Sequence, residues 1–310
     1  MSLKKEYAMK EIQRILSDIL RKDQIYKNEL MKKHTSFAIG GAADFFVTPE
    51  GEIQLVDLIK SLKAHDVPYF IMGNGTNILV RDKGVRAVVV KIGEGLAEWT
   101  IHGDEIRAQS GMLLSSLSKK AASAKLTGLE FAGGIPGSVG GALYMNAGAY
   151  GGNMSDVVKS VKVIKPSGEI AEFSLKEMCY GYRSSAAQRE NLIILEGTFM
   201  LKAGDKEEIK NLMNEYAERR AKKQPLQALS AGSVFKRPEG YFAGKLIEDA
   251  GLKGMIHRGA QVSSKHSGFI INRKDASATD VTELINFIKK TVYDTSGVQL
   301  EEEVKIIGEE

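Results

Sequence analysis

Two glycine-rich segments of this 310-residue sequence could bring a bare backbone close to a ligand. In the first, residues 73–80 (GNGTNILV) follow an apolar run at 69–72, and no helix-length segment separates them from the next apolar run at 86–92. Glycine lets a chain approach an oxyanion closely, and successive N–H groups in a turn form a nest that binds phosphate without a helix dipole. The candidate phosphate loop is Gly73, Asn74, Gly75, Thr76 and Asn77, although a plain Gly-Asn-Gly turn explains these residues alone equally well.

The second segment, residues 133–141 (GGIPGSVGG), is followed by 146–152 (NAGAYGG). So many glycines make the backbone entropically costly to order. A ligand that approaches the backbone closely would explain why they are present. A neutral, glycine-lined wall suits a large planar ligand. Two such segments about 60 residues apart favour one dinucleotide-sized ligand over simple loops, and neither segment is expected to open a helix. The residues that could line the ligand are Gly133, Ile135, Pro136, Gly137, Ser138, Gly140, Gly141, Asn146, Gly148 and Tyr150.

Two common nucleotide-binding motifs do not fit the first segment. A Rossmann motif needs a third glycine, a following helix and an acidic residue about 20 positions further on, and these are missing in context. A Walker A loop needs Gly-Lys-Ser/Thr, which does not occur in this sequence.

Three further residues indicate chemistry only in combination: Arg183 in YGYRSS, Ser233 in AGSVFKRP and Glu303 in LEEEV. Taken singly, an arginine is more often a surface or salt-bridged residue, and a serine after Ala-Gly can simply occupy a turn. Three consecutive glutamates near the end of a chain are ordinarily a solvated acidic run. The functional interpretation therefore depends on the glycine segments occurring in the same chain.

Composition argues against several classes of protein. The net charge of +4 is too small to argue for nucleic-acid binding, and the aromatic residues do not alternate with basic ones. The longest uncharged run, residues 131–155, contains eight glycines and is a poor membrane span. The single cysteine, Cys179, excludes an internal disulfide and fits a reducing compartment, and the five histidines show no pair at metal-ligand spacing, so no metal is predicted.

Apolar periodicity predicts an α+β chain that positions these segments. An amphipathic helix is expected near the N-terminus from Ile12, Ile15, Leu16, Ile19 and Leu20, and a second from Ile53, Val56, Ile59 and Leu62. Further helices are predicted at about 112–125, 205–223, 241–250 and 280–293, the last with Asp280 and Glu283 as a capping-box-like start. Strands are predicted at 43–48, on both sides of the first glycine segment, and at 157–164, 192–201 and 268–272.

Five motifs in this order and spacing resemble the bacterial UDP-N-acetylenolpyruvoylglucosamine reductases: GNGTNILV, GLEFAGGIPGSVGGALYMNAGAYG, YGYRSS, AGSVFKRP and LEEEVKIIG. The resemblance covers about residues 34–308. It implies an FAD-binding fold of the vanillyl-alcohol oxidase/PCMH type in two subdomains, plus a C-terminal α+β substrate-binding domain. The implied boundaries are 1–84 with 296–310 packing back, 85–203 and 204–295. In this family the first loop holds the pyrophosphate of FAD.

The resemblance also implies roles for particular residues. Arg183, Ser233 and Glu303 match the three catalytic positions of the family. Contacts to the UDP-sugar substrate are implied for Tyr182, Lys223 and Lys236, and His266 is expected to line the substrate domain. Arg237 stands where some members have asparagine. No tyrosine lies between the strand at 192–201 and Tyr216, so the chain resembles the shorter, second type of the family.

The implied reaction reduces a carbon–carbon double bond conjugated to a carboxylate, in two half-reactions: NADPH reduces non-covalently bound FAD, and the enolpyruvyl sugar nucleotide then reoxidises it. Arg183 would stabilise charge on the carboxylate, Ser233 would donate a proton, helped by Lys236, and Glu303 would be protonated or share a proton. The product, UDP-N-acetylmuramate, serves peptidoglycan synthesis and thereby cell shape and division. A cytoplasmic monomer is expected, with no nucleic-acid or membrane partner. An oxygen-using oxidase of the same flavin fold and a non-catalytic binding module are the alternatives.

Overall fold

A computed structural model describes the backbone of residues 3–310 and the side chains of residues 9–310. Within that range the helices are α1 (Leu3–Ser17), α2 (Glu52–Ala64), α3 (Leu114–Ser123), α4 (Val139–Met145), α5 (Ala186–Arg189), α6 (Lys206–Lys223), α7 (Ala243–Asp249) and α8 (Ala278–Ser296). The strands are β1 (Ile25–Leu30), β2 (Ala42–Val47), β3 (Tyr69–Met72), β4 (Ile78–Val80), β5 (Val85–Lys91), β6 (Trp99–His102), β7 (Glu105–Gln109), β8 (Leu126–Thr127), β9 (Gly148–Ala149), β10 (Gly152–Asn153), β11 (Val158–Ile164), β12 (Ile170–Ser174), β13 (Ile193–Met200), β14 (Lys202–Ala203), β15 (Ile256–His257), β16 (Ala260–Val262), β17 (Ile270–Asn272) and β18 (Lys305–Ile307). This mixture confirms the predicted α+β class.

The chain folds as two compact units. Unit 1 comprises residues 1–27, 44–74 and 87–219, and unit 2 comprises residues 28–43, 75–86 and 220–310. The three-domain division predicted from the sequence stays a prediction, and its first two residues lie outside the described part of the chain.

Unit 1 contains a five-stranded antiparallel sheet in the order β12-β11-β13-β7-β6, and a parallel pairing of β3 with β5. Helices α3 and α4 contribute to the core of the first sheet, and α2 contributes to a second core that includes residues of β3 and β5. Helix α2 forms because Leu55, Leu58, Ile59 and Leu62 repeat at helical spacing, and all four are fully buried. Ile53, which the sequence predicted for this face, is instead 80% exposed.

Unit 2 combines the antiparallel sheet β15-β16-β17 with the parallel pair β4 and β18 and the helices α7 and α8. The long helix α8 buries one face through Val281, Leu284, Ile285, Ile288 and Val292, which follow the 3.6-residue period. Pairing of β18 with β4 joins the C-terminal segment to the strand that follows the first glycine segment, from Ile78 with Lys305 to Val80 with Ile307.

Two predicted element boundaries were wrong. Helix α8 has Ser277 as its N-cap, with Asp280 as the third helical residue of a capping box, so Asp280 and Glu283 do not start the helix. The second glycine segment does open a helix: Ser138 caps α4, and its side chain accepts a hydrogen bond from the Gly141 N–H at 3.3 Å. A serine cap supplies the acceptor that a glycine-rich helix start needs. The first glycine segment is followed by β4 and opens no helix, as predicted.

Across residues 3–310, no helix has both the length and the apolar character to cross a membrane.

A carboxylate from outside the helix holds the start of α8, and we expect its loss to destabilise the protein. Asp82 accepts from the Ala278 N–H at 2.8 Å and from the Thr279 N–H at 2.9 Å. Asp82→Asn removes the charge and one acceptor from a helix N-terminus. It should lower the free energy of unfolding by about 1–2 kcal/mol in urea denaturation. Asp294→Asn, an exposed carboxylate on the same helix, is the control and should change it by less than about 0.5 kcal/mol. Equal effects of the two changes would contradict this role of Asp82.

Candidate functional site

The first glycine segment connects β3 to β4 and presents unused backbone donors. Among the described residues, the N–H groups of Gly73, Asn74, Gly75 and Asn77 donate to no protein acceptor. Gly75 has φ +64°, a left-handed conformation that glycine adopts without strain. A run of free N–H groups in such a turn is an anion-binding nest, so the geometry supports the predicted phosphate loop.

The side chain of Asn77 has a structural role within unit 2. Its Nδ2 donates to the Glu303 carbonyl at 3.1 Å, and its own carbonyl accepts from the Lys305 N–H at 3.0 Å. Asn77 was predicted to contact a cofactor. Its side-chain nitrogen holds the segment that carries Glu303, its backbone N–H is available to a ligand, and the cofactor contact stays a prediction.

The two glycine segments meet in unit 1, at Gly73 and Ser138. A Cβ atom at position 73 would lie 2.4 Å from Ser138 Oγ, so glycine lets the segments approach without displacing that hydroxyl. Backbone hydrogen bonds hold the second segment on the other side: Val139 N–H to Met112 O and Gly140 N–H to Ser110 O, both at 2.8 Å. The N–H groups of Gly134, Gly137 and Ser138 donate to no acceptor among the described residues.

After α4 the chain forms the hairpin β9–β10, with Tyr150 and Gly151 at its tip. Tyr150 has φ +53°, and its ring stacks on Tyr216 of α6 with centroids 4.5 Å apart. The guanidinium of Arg219 lies 5.1 Å from the Tyr150 centroid. Tyr150 was predicted to bind cofactor, but one face of its ring packs on this helix.

Arg183 lies in a tight turn of unit 1, in which Gly181 and Ser184 exchange backbone hydrogen bonds at 3.0 and 3.3 Å. Arg183 itself has φ +52°. Its Nη2 donates to the Gly148 carbonyl at 3.2 Å, and its guanidinium lies 5.0 Å from the ring centroid of Tyr182, which is 53% exposed. The side chain of Asn146 donates to the Gly181 carbonyl at 3.0 Å, so it braces the turn.

Ser233 and Glu303 lie on neighbouring segments of unit 2. The Glu303 N–H donates to the Val234 carbonyl at 2.7 Å, and the Ser233 hydroxyl donates to the Phe235 carbonyl at 3.2 Å. Both side chains are half-buried. The structure therefore brings these two predicted catalytic residues together within one unit.

The remaining predicted substrate contacts also lie in unit 2. His266 packs beside Gly244 and Gly268, and its Nδ1 accepts from the Gly268 N–H at 3.1 Å. Burial lowers the pKa of His266, and the positive charge of Lys223 lowers it further. A neutral imidazole with Nδ1 as acceptor carries its proton on Nε2. Lys236, predicted to assist Ser233, is ion-paired with Glu301.

One group of possible metal ligands, which sequence spacing did not indicate, lies at the start of α8. Atoms of His257, Asp280 and Glu283 lie within 4.8 Å of one another. Arg258 Nη1 lies 3.3 Å from Asp280 and 3.0 Å from Glu283, so one guanidinium pairs with both carboxylates. This arrangement is an ion-pair cluster.

Several contacts at these positions had no indication in the sequence. Gln188 Nε2 donates to the carbonyls of Tyr144 at 2.7 Å and Arg183 at 3.0 Å, and Tyr216 stacks on Tyr150. The contacts of Gln188 with Tyr144 and of Tyr216 with Tyr150 join residues far apart in sequence, and a glutamine or tyrosine in a helix has no distinctive local pattern.

Known proteins resemble this chain along nearly its whole length. A family model described as "FAD binding domain" matches residues 43–174, and one described as "UDP-N-acetylenolpyruvoylglucosamine reductase, C-terminal domain" matches residues 224–307. The UDP-N-acetylenolpyruvoylglucosamine reductase of Alkaliphilus oremlandii (strain OhILAs) is 52% identical over 295 residues, covering 95% of this chain and 97% of that protein. The corresponding reductase of Clostridioides difficile (strain 630) is 51% identical, with the same coverage.

A solved structure agrees with these matches. The crystal structure of the UDP-N-acetylenolpyruvylglucosamine reductase from Thermus caldophilus has a TM-score of 0.79 and 35% identity, covering 90% of this chain and 98% of that one. The predicted FAD-binding fold and the predicted cofactor FAD are thereby confirmed. The roles of individual residues stay predictions.

The contact between the glycine segments predicts that a side chain at position 73 disturbs the cap of α4. Gly73→Ala would place its Cβ 2.4 Å from Ser138 Oγ, so either the hydroxyl must leave its capping position or the segments must move apart. We expect FAD to bind at least about tenfold more weakly, about 1.4 kcal/mol, as measured by flavin fluorescence on titration of the apoprotein.

Two further variants test the physical reason. Adding Ser138→Gly to Gly73→Ala removes the clashing hydroxyl and should restore part of the affinity, because glycine is a tolerable N-cap. Gly93→Ala is the control, since its nearest neighbour would be Lys91 Cε at 3.7 Å. The contact would be unimportant for FAD if Gly73→Ala and Gly93→Ala bound it equally well.

Proposed function

Because the chain belongs to the UDP-N-acetylenolpyruvoylglucosamine reductase family, we propose that it reduces the enolpyruvyl group of UDP-N-acetylglucosamine enolpyruvate to UDP-N-acetylmuramate. The observation that supports this best is the presence in one chain of an FAD-binding domain and the C-terminal domain of that reductase. In the net reaction NADPH provides the hydride and solvent the proton, and NADP⁺ is released. The product is a precursor of peptidoglycan.

The residues of both glycine segments fit FAD. The free N–H groups of Gly73, Asn74, Gly75 and Asn77 suit a pyrophosphate, and those of Gly134, Gly137 and Ser138 offer further donors. No histidine lies at 111–152, so non-covalent binding is proposed. FAD supplies the redox centre that accepts hydride from NADPH and passes it to the substrate.

Arg183 is proposed to bind the substrate carboxylate, where negative charge develops when hydride adds to the terminal carbon. A planar guanidinium offers two parallel donors to a carboxylate, and a donor fixed in advance needs no reorganisation during the reaction. The bond from Nη2 to the Gly148 carbonyl and the braced turn support this role, because they limit the positions that Arg183 can adopt.

Ser233 is proposed to deliver the proton to the carbon next to the carboxylate. Its side chain is half-buried and its hydroxyl donates to the Phe235 carbonyl, so a rotation about the Cβ–Oγ bond would redirect the proton. Glu303 is proposed to share a proton with the substrate carboxylate, since two carboxyl groups in contact cannot both stay ionised. The ion pair of Lys236 with Glu301 argues against Lys236 as the direct helper of Ser233.

Contacts to the sugar nucleotide are proposed for Tyr182, Lys223, Lys236 and His266. Exposed Lys223 carries the positive charge that a diphosphate requires. The neutral His266 would offer its Nε2–H as a donor to a substrate oxygen. We further propose a cytoplasmic monomer in which residues 204–295 form the substrate domain, as the resemblance implies.

Separate measurement of the half-reactions tests the role of Ser233. In stopped-flow absorbance experiments, Ser233→Ala should leave reduction of the flavin by NADPH within about twofold of wild type. Reoxidation by the enolpyruvyl substrate should slow by at least about 100-fold, because only that step needs the proton donor.

The matched control is Ser296→Ala, a serine whose hydroxyl also donates to a backbone carbonyl, that of Val292 at 2.7 Å. Both half-reactions of this variant should stay near wild type. An equal slowing of both half-reactions in Ser233→Ala would reject the proton-donor role.

A further inference from the structure

The backbone of Arg183 is in an unfavourable conformation that something must hold. Its φ of +52° lies in the left-handed region, which costs a non-glycine residue about 1 kcal/mol or more. The turn from Gly181 to Ser184 has only two backbone hydrogen bonds of its own. Without further contacts, the arginine could relax and its guanidinium would move.

Gln188 supplies a contact at the arginine itself. Its Nε2 donates to the Arg183 carbonyl at 3.0 Å and to the Tyr144 carbonyl at 2.7 Å. Both carbonyl oxygens are acceptors, so only the NH₂ end of the amide can face them, and the Met145 Sδ, a weak acceptor, lies 3.6 Å from the same nitrogen. Gln188 therefore ties the arginine turn to the C-terminal end of α4, and the Ser185 hydroxyl donates to the same Tyr144 carbonyl at 2.7 Å.

The same stretch of chain holds the turn at two more points. Asn146 Nδ2 donates to the Gly181 carbonyl at 3.0 Å, and Arg183 Nη2 donates to the Gly148 carbonyl at 3.2 Å. Asn146 is itself anchored, because its Oδ1 accepts from the Ser155 N–H at 2.9 Å. Of these contacts only Gln188 bonds to the carbonyl of Arg183, next to the strained φ,ψ pair.

We infer that Gln188 is a positioning residue for the reaction: it locks the backbone of Arg183 so that the guanidinium meets the substrate carboxylate in one orientation. This inference rests on the proposed function, in which Arg183 binds that carboxylate. Gln188 acts through Arg183 and does not itself touch the reacting atoms. A displacement of about 1 Å at such a group can slow a reaction about 100-fold.

The test separates the two half-reactions in three variants of the holoenzyme. Gln188→Met keeps the length of the side chain and removes the donor. It should slow flavin reoxidation by the enolpyruvyl substrate about 10- to 100-fold and change flavin reduction by NADPH less than about twofold. Arg183→Lys should slow the same step. The double variant should be no more than about twofold slower than Arg183→Lys. Once the guanidinium has been replaced, loss of a residue that acts only through Arg183 should slow the reaction no further.

Rescue and control variants complete the design. Gln188→Lys should recover most of the reoxidation rate, since an ammonium group can donate to both carbonyls. Gln54→Met is the control: Gln54 is also half-buried and bonds to two backbone groups, Ile19 O at 3.1 Å and Glu50 N–H at 2.6 Å, away from the arginine turn. It should leave both half-reactions within about twofold of wild type. If Gln188→Met does not retain FAD, Gln188→Asn, which keeps the amide but shortens its reach, should show the same selective slowing.

Three results would overturn the inference. Reoxidation within twofold of wild type in Gln188→Met would show that the bond is dispensable, and equal slowing of both half-reactions would indicate a general structural effect. Effects of Gln188→Met and Arg183→Lys that multiply in the double variant would show that Gln188 acts independently of Arg183. Normal reoxidation in Arg183→Lys is the separate result that would reject the proposed role of Arg183, and this inference with it.

Discussion

The close approach of Gly73 to Ser138 is the constraint on which the candidate site of unit 1 depends. A Cβ at position 73 would lie 2.4 Å from the serine hydroxyl, and that same hydroxyl caps α4. Near the end of helix α4, Tyr144 and the C-cap residue Asn146 hold the arginine turn through Gln188 and Gly181. The candidate phosphate loop, the second glycine segment and Arg183 are therefore connected by a continuous series of hydrogen bonds and close contacts that begins at Gly73 and Ser138.

In unit 2, hydrogen bonds to the backbone likewise hold a segment that carries a predicted catalytic residue. The backbone of Glu303 is held by the Val234 carbonyl and by the side chain of Asn77, so it lies beside the segment that carries Ser233. The nearby charged side chains are paired, as Lys236 is with Glu301. In the proposed mechanism the proton donor is therefore Ser233, whose proton can move, and not a paired cation.

Much of this architecture could be predicted from the sequence, because apolar periodicity and turn residues act locally. The long helices, the main strands and the helix-free first loop follow such patterns. Helix α4 could not be foreseen, since two of its seven residues are glycine and its start depends on the Ser138 cap. The start of α8 was predicted late because Asp280 resembles an N-cap, whereas Ser277 occupies that position. The bonds from Gln188 to Tyr144 and from Asn146 to Gly181 join residues 44 and 35 positions apart, which no local pattern encodes.

The most direct test of the account is the visible spectrum of the purified protein under anaerobic conditions. The account predicts a yellow protein whose flavin absorbance is bleached by NADPH alone and returns when the enolpyruvyl sugar nucleotide is added, with one product molecule formed per flavin reoxidised. A protein without bound flavin would contradict the account. So would a bleached flavin that recovers its colour only with oxygen.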